Sequence, residues 1–284
     1  ARALIVQGLD RFEAAGDDAA ALDDTRYSQP ALFALEWALY ALWRAWGVEP
    51  DVVIGHSLGE YAALNCAGVL SDFDVLWLCG TRAKLLAAHC QAGTHAMLAV
   101  RSWHQEVLGI LRGSPAEVAC INGPRETVLS GANSDIDEAA QRLESEGIRC
   151  NRINVPYAFH SSQLQPILDQ FSRVLDKVAF RSPATTILSP LRGAVINVGD
   201  DVGKDYVLQQ CRQAVNLVGA VEAAEQAGIL DARSHVLELG PSLILGRLVQ
   251  RAAQDPPTLI PSLDPKQDSW QVLSRSAGTA YRVG

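Results

Sequence analysis

Residues 51–66 read DVVIGHSLGEYAALNC, and this stretch decides the fold. The β-branched run Asp51–Gly55 is typical of a strand, and Glu60–Ala67 has the composition of a helix. Between them lies the pentapeptide Gly55-His56-Ser57-Leu58-Gly59, whose two glycines permit a sharp turn from strand to helix. Such a turn lifts the hydroxyl of Ser57 out of the backbone. The stretch therefore predicts an α/β fold with Ser57 as a candidate nucleophile.

The helix that follows Ser57 supplies a second element of a reactive site. Its amino end points N–H groups at the same place, so the backbone N–H of Leu58 is a candidate donor to an oxyanion. The alternative is a structural turn, because a GxSxG pentapeptide is short enough to occur by chance. Its position between an apolar strand and a helix favours the nucleophile.

A serine nucleophile needs a base, and histidine is the side chain best suited to that role near neutral pH. The chain has six histidines, which are His56, His89, His95, His104, His160 and His235. His56 lies inside the turn and is expected to pack beside Ser57, while the next three lie near the ends of predicted elements. His160, in PYAFHSSQ, and His235, before the strand VLELG, remain. Residue types alone do not choose between these two.

The composition excludes several kinds of partner. The chain has 24 Lys and Arg against 32 Asp and Glu, a net charge of −8, and no basic block. We therefore expect no binding to nucleic acid or to an anionic membrane surface. The longest apolar stretch, Ala31–Trp43, contains Glu36 and is too short to cross a bilayer.

The six cysteines are scattered along the chain without a close pair. This spacing argues against a metal site and against a disulfide framework, so we expect a reducing, cytoplasmic setting. The chain begins with Ala1 and its one methionine is Met97. We therefore expect it to be part of a longer protein.

The length of 284 residues favours one large domain with a smaller inserted unit. Residues 93–156 have the pattern of such a unit. A helix within it is predicted to begin at a Ser134 cap, with Asp137 completing a capping box. The predicted strands and helices are, in order, strand His95–Val100, helix Trp103–Arg112, strands Glu117–Asn122 and Thr127–Gly131, the Ser134 helix, and strand Arg149–Val155. This βαββαβ order predicts a ferredoxin-like small subdomain.

The remaining segments are predicted to contain both strands and helices. Ala31–Trp46 is predicted to be a buried helix with Pro30 in its first turn. Further predicted elements are the strands Thr186–Ser189 and His235–Leu239 and the helices Ala214–Gln226 and Leu243–Ala253. Residues 1–92 and 157–253 are therefore assigned to a large subdomain. The proline-rich residues 254–284 are expected to form a linker.

Several motifs together resemble a known family. GHSLGEYAALNCAGVLS, at 55–71, followed by Arg82, and VPYAFHSSQ, at 155–163, resemble the acyltransferase domains of fatty-acid and polyketide synthases. GTHAMLAV, ACINGPRETVLSG and CRQAVNLVGAVEAA are similar to the malonyl-CoA:acyl-carrier-protein transacylase domain of fungal non-reducing iterative polyketide synthases. The resemblance covers essentially the whole chain. It implies an α/β-hydrolase-like large subdomain with a parallel sheet, an inserted ferredoxin-like small subdomain, and an active site between them.

The resemblance also implies roles for individual residues. Ser57 would be the nucleophile and His160 its general base, with the histidine ring oriented by a main-chain carbonyl at Asn216 instead of a third side chain. Arg82 matches the position that holds the free carboxylate of malonate, which suits the planar fork of a guanidinium. Without the resemblance, a solvated surface arginine would be the preferred reading. Phe159 matches the bulky residue of malonyl-selective members and would crowd an α-methyl group.

The implied reaction is transfer of malonyl units from malonyl-CoA to the phosphopantetheine thiol of an acyl carrier protein through a malonyl-serine intermediate. No bound cofactor or metal is expected, and the further partners would be the ketosynthase and other domains of a parent synthase. Two alternatives remain open. A serine hydrolase or thioesterase would use Ser57 with His235 as a possible base, and a non-catalytic docking module would use neither.

One departure from the family pattern concerns the oxyanion hole. The family opens with a Gly-Gln-Gly loop at a strand end, whose glutamine region completes the hole, and Val6-Gln7-Gly8 does not match that context. We therefore expect the first strand to be missing from the chain. The loss of one oxyanion donor would cost roughly 100- to 1,000-fold in rate.

Overall fold

The apolar segment that precedes Ser57 forms a strand in the middle of a six-stranded sheet. The computed structural model describes residues 3–7 and 24–283. The strands of this sheet are β1 Ala3–Gln7, β2 Val52–Gly55, β7 Thr186–Ser189, β8 Ala194–Ile196, β10 His235–Leu239 and β11 Thr258–Pro261. Their order is β11-β10-β1-β2-β7-β8, and every pair is parallel except β7 with β8. The α/β fold that the sequence predicted is therefore present, with the mainly parallel sheet that the family resemblance implied.

The expectation that the first strand is missing is wrong. Ala3–Gln7 forms β1, which pairs in parallel with β2 on one side and with β10 on the other. At its carboxyl end, Gln7 lies opposite both Gly55 and Leu239. The four apolar residues of this strand, ALIV, carry no alternating pattern, so only its two neighbours in the sheet identify it as a central strand.

Helices cover this sheet and connect its strands. They are α1 Thr25–Ala45, α2 Gly59–Cys66, α3 Asp72–His89, α6 Gln165–Leu175, α7 Lys204–Arg212, α8 Leu217–Gln226, α9 Leu245–Ala252 and α10 Ser269–Val283. The first of them starts earlier than predicted, because the side chain of Asp24 caps it by accepting the N–H of Arg26 at 2.8 Å. Pro30 therefore lies in the helix interior and not in its first turn. The helix is also not buried all round, since Trp37 is 41% exposed while Trp43 is fully buried.

Residues 95–153 form a second, antiparallel sheet with two helices. Its elements are β3 His95–Val100, α4 His104–Ile110, β4 Glu117–Gly123, β5 Glu126–Ala132, α5 Asn133–Ser145 and β6 Cys150–Ile153. The strand order β6-β3-β5-β4 has the βαββαβ arrangement that the sequence predicted. A short strand from the large subdomain, β9 Val215–Asn216, adds in parallel to the edge of β4. The two subdomains are therefore joined by backbone hydrogen bonds as well as by packing.

The predicted capping box at the start of α5 does not form. The helix begins at Asn133 after Ala132, and no side chain caps it. Asp137 instead forms a salt bridge with Arg152 on the neighbouring strand β6. The exposed pair links the helix to the sheet, which is a use of Asp137 that a local motif cannot indicate.

The proline-rich segment from residue 254 onward is not a linker outside the domain. Thr258–Pro261 is β11, which pairs in parallel with β10 and closes one edge of the large sheet. An edge strand tolerates Pro261 because it forms hydrogen bonds on one side only. Ser262 then accepts a hydrogen bond from Nε1 of the buried Trp43 at 2.9 Å, and Leu273 of α10 is buried. This segment therefore completes the large subdomain.

Apolar clusters cover both faces of the parallel sheet, and a separate cluster fills the small subdomain. A fourth cluster joins the two units and contains Met97, Val128, Ala158 and Val215. All six cysteines are free thiols. Among the described helices, none combines the length and apolar character needed to cross a bilayer.

Candidate active site

Ser57 occupies a strained turn between β2 and α2. Its φ angle is +52°, in the left-handed region that is costly for a residue with a side chain. Gly55 makes this turn possible, because a Cβ atom at that position would lie 2.2 Å from the carbonyl oxygen of Gly59. The turn is therefore the sharp strand-to-helix connection that the sequence predicted, and not an ordinary surface turn.

His160 meets Ser57 from the segment that follows the small subdomain. Its Nε2 atom lies 2.7 Å from Oγ of Ser57. Its Nδ1 atom lies 2.7 Å from the carbonyl oxygen of Gln213. Because a carbonyl can only accept, Nδ1 carries the ring proton and Nε2 is free to accept the proton of the serine hydroxyl. The pair has the geometry of a nucleophile with a general base.

The assignment of Asn216 as the residue that orients His160 is wrong, because the carbonyl belongs to Gln213. Gln213 follows the last turn of α7 in an extended conformation, and its carbonyl oxygen reaches the ring. Asn216 lies three residues further on and begins α8, where its side chain accepts the N–H of Gly219 at 3.0 Å. A sequence motif locates the segment but does not tell which of its carbonyls faces the ring.

His235 does not lie near the nucleophile. His235 pairs with Ala3 at the amino end of β1. Ser57 comes shortly after Gly55, which pairs with Gln7 at the carboxyl end of β1. Ala3 and Gln7 are four residues apart, so the strand separates His235 from Gly55 by roughly 13 Å. Of the two histidines that the sequence left open, the structure brings only His160 to Ser57.

The site holds its histidines in the neutral form. Burial, the charge of Arg82 and the neighbouring His56 together lower the pKa of His160 to about 3. His56 is fully buried, and its Nε2 lies 2.7 Å from Oδ1 of Asn122 in the small subdomain. Burial lowers the pKa of His56 to about 4. His56 thus packs beside the nucleophile and leaves Ser57 to His160.

The start of α2 offers a free donor next to Ser57. The N–H groups of Gly59, Glu60 and Tyr61 bind the carbonyls of His56, Ser57 and Leu58 respectively. No hydrogen bond from the N–H of Leu58 to a described residue occurs. Gln7 ends β1 directly beside Gly55, which is where a second donor would be expected. Gly8, the last residue of the Val6-Gln7-Gly8 segment, lies outside the described residues.

Arg82 is buried in α3, with 1% of its surface exposed, so the surface-arginine alternative is excluded. Nη1 donates to Oε1 of Gln29 at 3.3 Å, and the guanidinium carbon lies 5.8 Å from the ring centroid of Tyr61. Nε has no hydrogen-bond partner among the described residues. The two contacts named here are with uncharged side chains, and a buried guanidinium of this kind is suited to bind an incoming carboxylate.

Phe159, next to His160, lies where the two subdomains meet. It is half-buried and packs against both the large core and the cluster between the subdomains. Its ring makes an edge contact with Tyr157 at a centroid distance of 6.1 Å. An aromatic side chain is therefore fixed beside the candidate base.

The sequence matches the acyl transferase domain family over residues 13–284. The chain belongs to this family. The conidial pigment polyketide synthase PfmaE of Pestalotiopsis fici is 42% identical over 258 residues, which cover 90% of this chain and 12% of that synthase. The non-reducing polyketide synthase terA of Aspergillus terreus is 41% identical over 250 residues, 88% of this chain and 12% of the synthase. The chain thus spans about an eighth of these relatives, and its resemblance to polyketide-synthase acyltransferase domains is confirmed.

Solved structures agree with this family. The acyltransferase domain from the second module of the salinomycin polyketide synthase has a TM-score of 0.88 at 30% identity, over 99% of this chain and 73% of that chain. A malonyl CoA-acyl carrier protein transacylase from Clostridium perfringens has a TM-score of 0.85 at 20% identity, over 99% of this chain and 98% of that one. The second likeness supports the fold alone.

The acyl transferase domain also supports Ser57 through residues that the sequence did not single out. Nε2 of Gln210, on α7, donates to the backbone carbonyl of Ser57 at 2.6 Å. The same helix ends at the carbonyl that holds His160. One helix end therefore positions both the nucleophile and the base, and only the folded chain brings these segments together.

Behind the turn lies a buried polar network. The hydroxyl of Tyr206 donates to Oε1 of Glu60, and Oγ of Ser189 lies 2.6 Å from that hydroxyl. Burial raises the pKa of Glu60 to about 7, against the opposing effect of the hydrogen bond from Tyr206. The network anchors α2 to the neighbouring strand β7 and helix α7.

The small subdomain is tied to the segments on both sides of this site. Oε1 of Glu117 accepts the N–H of Ser162 at 2.6 Å, and Oε2 accepts from Nη2 of Arg212 at 2.6 Å. These partners lie two residues after His160 and one residue before Gln213. Within the part of the chain that the structure describes, no group of three His, Cys, Asp or Glu side chains is arranged to hold a metal ion.

Proposed function

We propose that this acyl transferase domain transfers malonyl groups from malonyl-CoA to the phosphopantetheine thiol of an acyl carrier protein. The observation that carries the proposal is the chain of contacts from Ser57 through His160 to the carbonyl of Gln213, with Arg82 buried nearby. The first three groups supply an activated nucleophile. The fourth supplies a receptor for a substrate that carries a free carboxylate.

In the first half-reaction, Nε2 of His160 takes the hydroxyl proton while Oγ of Ser57 forms a bond to the thioester carbon. The carbonyl oxygen becomes an oxyanion, which the N–H of Leu58 stabilises. The carbon–sulfur bond then breaks, and the leaving CoA sulfur takes the proton from His160. The product of this step is malonyl-Ser57 and free CoA.

The second half-reaction is the reverse chemistry with another thiol. The carrier thiol gives its proton to His160, and its sulfur attacks the ester carbon of malonyl-Ser57. The bond from that carbon to Oγ breaks, and the serine oxygen recovers a proton from His160. The cycle needs no cofactor or metal, because one proton moves between oxygen, nitrogen and sulfur.

The carboxylate of malonate has a second effect in this arrangement. The positive charge of Arg82 is one cause of the low pKa of His160. A bound carboxylate would neutralise that charge, and the base would therefore become stronger with malonyl than with acetyl substrates. Phe159 adds a steric preference, because its ring leaves little room for an α-methyl group beside His160; one methyl is worth about 1–3 kcal/mol.

The parent protein implied by the relatives is a polyketide synthase, whose ketosynthase and carrier domains would be the partners of this domain. The rival activity is hydrolysis of the acyl-serine by water. The distance of His235 from Ser57 removes the base that a Ser-Asp-His hydrolase would have used. A docking module without activity would have no use for a strained serine held at 2.7 Å from a neutral imidazole.

The test is to incubate the protein with malonyl-CoA and a phosphopantetheinylated carrier protein and to measure malonyl-carrier and free malonate together. We expect malonyl-carrier from the wild type and from His235→Ala, and none above background from His160→Ala. Free malonate without malonyl-carrier would make the protein a hydrolase. Loss of transfer in His235→Ala, with His160→Ala active, would overturn the assignment of the base.

A further inference from the structure

A cavity of about 800 Å³ lies beside the turn between β4 and β5, outside the site described above. Four arginines line it, which are Arg101, Arg125, Arg149 and Arg251. Its volume lies in the range of pockets that bind small molecules. None of these arginines has a part in the chemistry at Ser57.

Positive charge is concentrated in this cavity, although the chain as a whole has a net charge of −8. The single carboxylate among the lining residues is Glu126. Its two oxygens bind Arg101 at 3.1 Å and Arg251 at 2.9 Å. The exposed guanidinium groups of Arg125 and Arg149 form no salt bridge with any described residue. Two cations are thus held in place, and two are free for an anionic ligand.

The residues that line the cavity come from both subdomains. Arg251 belongs to α9 of the large subdomain, and the other three arginines belong to the small one. Gly123, a lining residue, directly follows Asn122, whose side chain binds His56 next to Ser57. A molecule bound in the cavity would therefore border the segment that holds the turn.

We propose that this cavity binds the phosphate groups of the CoA thioester that donates the acyl group, a proposal that rests on the proposed function. CoA carries a diphosphate and a 3′-phosphate at the end opposite its thioester. Guanidinium groups bind phosphate oxygens in pairs through parallel N–H donors, and four of them around one cavity match a ligand with several phosphates. A carrier protein offers a single phosphodiester, which would occupy a cluster of four arginines less completely than the three phosphates of CoA.

The salt bridges of Glu126 have a definite role in this binding. They bind Arg101 and Arg251 to the two oxygens of one carboxylate, which reduces the ordering of these long side chains that a ligand would have to impose. Arg125 and Arg149, which lack such a partner, would supply most of the new contacts. They are therefore the residues to replace.

The experiment compares malonyl-CoA with malonyl-pantetheine, which has the same thioester but no phosphate or nucleotide. Arg125→Ala/Arg149→Ala is expected to raise KM for malonyl-CoA by about 10-fold or more, because charged hydrogen bonds are lost. The kinetics with malonyl-pantetheine should not change. Arg112→Ala removes an exposed arginine of the same subdomain outside the cavity and should leave both donors unaffected.

Three results would overturn the proposal: an unchanged KM for malonyl-CoA, an equal loss with both donors, or a loss confined to the carrier protein. The last would assign the arginines to the carrier.

Adenosine 3′,5′-bisphosphate provides a readout independent of acyl transfer. Calorimetry should detect its binding to the wild type and a weakening of about 10-fold or more in the double variant. If malonyl-CoA does not acylate Ser57, the proposed function fails; if acylation occurs but the bisphosphate does not bind, only the cavity proposal fails.

Discussion

The carbonyl oxygen of Gln213 lies 2.7 Å from Nδ1 of His160 and holds the imidazole ring with a backbone group. Replacement of the Gln213 side chain does not remove that oxygen, so Gln213→Ala should retain a kcat close to that of the wild type.

Asn216→Ala should also retain activity but unfold at a lower temperature, because the loss of a helix cap costs about 1 kcal/mol. Thermal unfolding and transfer rates of both variants test this. A well-folded Asn216→Ala protein without activity would return the orienting role to Asn216.

Gln210 is expected to act as a positioning residue. Its amide holds the carbonyl of Ser57, a residue in a strained conformation, at 2.6 Å. Gln210→Ala should lower kcat for malonyl transfer by about 10-fold and leave KM for malonyl-CoA nearly unchanged, since one hydrogen bond to the nucleophile's backbone is lost. Gln209→Ala, at an exposed position of the same helix, is the matched control. A rise in KM with an unchanged kcat would contradict this role.

Arg82 should distinguish between acyl groups. Its buried guanidinium contacts the uncharged side chains of Gln29 and Tyr61, and in the proposed reaction the malonyl carboxylate would be its anionic ligand. Arg82→Ala should reduce kcat/KM for malonyl transfer by about 100-fold or more, because truncation of one member of a buried charge pair is costly. Acetyl transfer, measured in parallel, should fall far less and reports on folding. An equal loss for both acyl groups would remove Arg82 from the substrate site.

His56 predicts a pH-dependent contribution to stability. Burial lowers its pKa from 6.5 to about 4 in the folded protein. Its contribution to the free energy of unfolding is therefore present above pH 6.5 and is lost as the pH falls towards 4. Between these values the stability of the wild type should fall more steeply than that of His56→Gln, in which His160 is unchanged. Denaturant unfolding at a series of pH values measures the difference. Parallel curves for the two proteins would contradict it.

Local patterns were sufficient for much of the fold. The run Asp51–Gly55 and the pentapeptide that begins at Gly55 predicted β2, the turn and α2. The βαββαβ order of the small subdomain is also present, with shifted element ends. These elements depend on neighbours in the sequence. The strands β1 and β11 were not predicted. β1 is identified by its pairing with β10 and β2, and β11 by its pairing with β10, and the local sequence of each strand does not show these partners.

The site residues also divide into those that the sequence could indicate and those that depend on contacts in the folded chain. A local motif indicated Ser57, and the resemblance to the family indicated His160 and Arg82; the structure brings Ser57 and His160 together and buries Arg82. The orienting carbonyl was assigned to Asn216, three residues after Gln213, because the direction of a backbone carbonyl depends on how α7 ends. Gln210 gave no signal, since a glutamine on a helix face becomes a support for Ser57 only when the helix packs against the turn.

The most direct test of the central claim is the covalent intermediate itself. The protein and its Ser57→Ala variant are mixed briefly with malonyl-CoA, and the intact mass and the modified peptide are determined. We predict one malonyl group on wild-type Ser57, none on the variant, and release of the group when a carrier thiol is added. Malonyl labelling that persists in Ser57→Ala, or that lies on another residue of the wild type, would contradict the account.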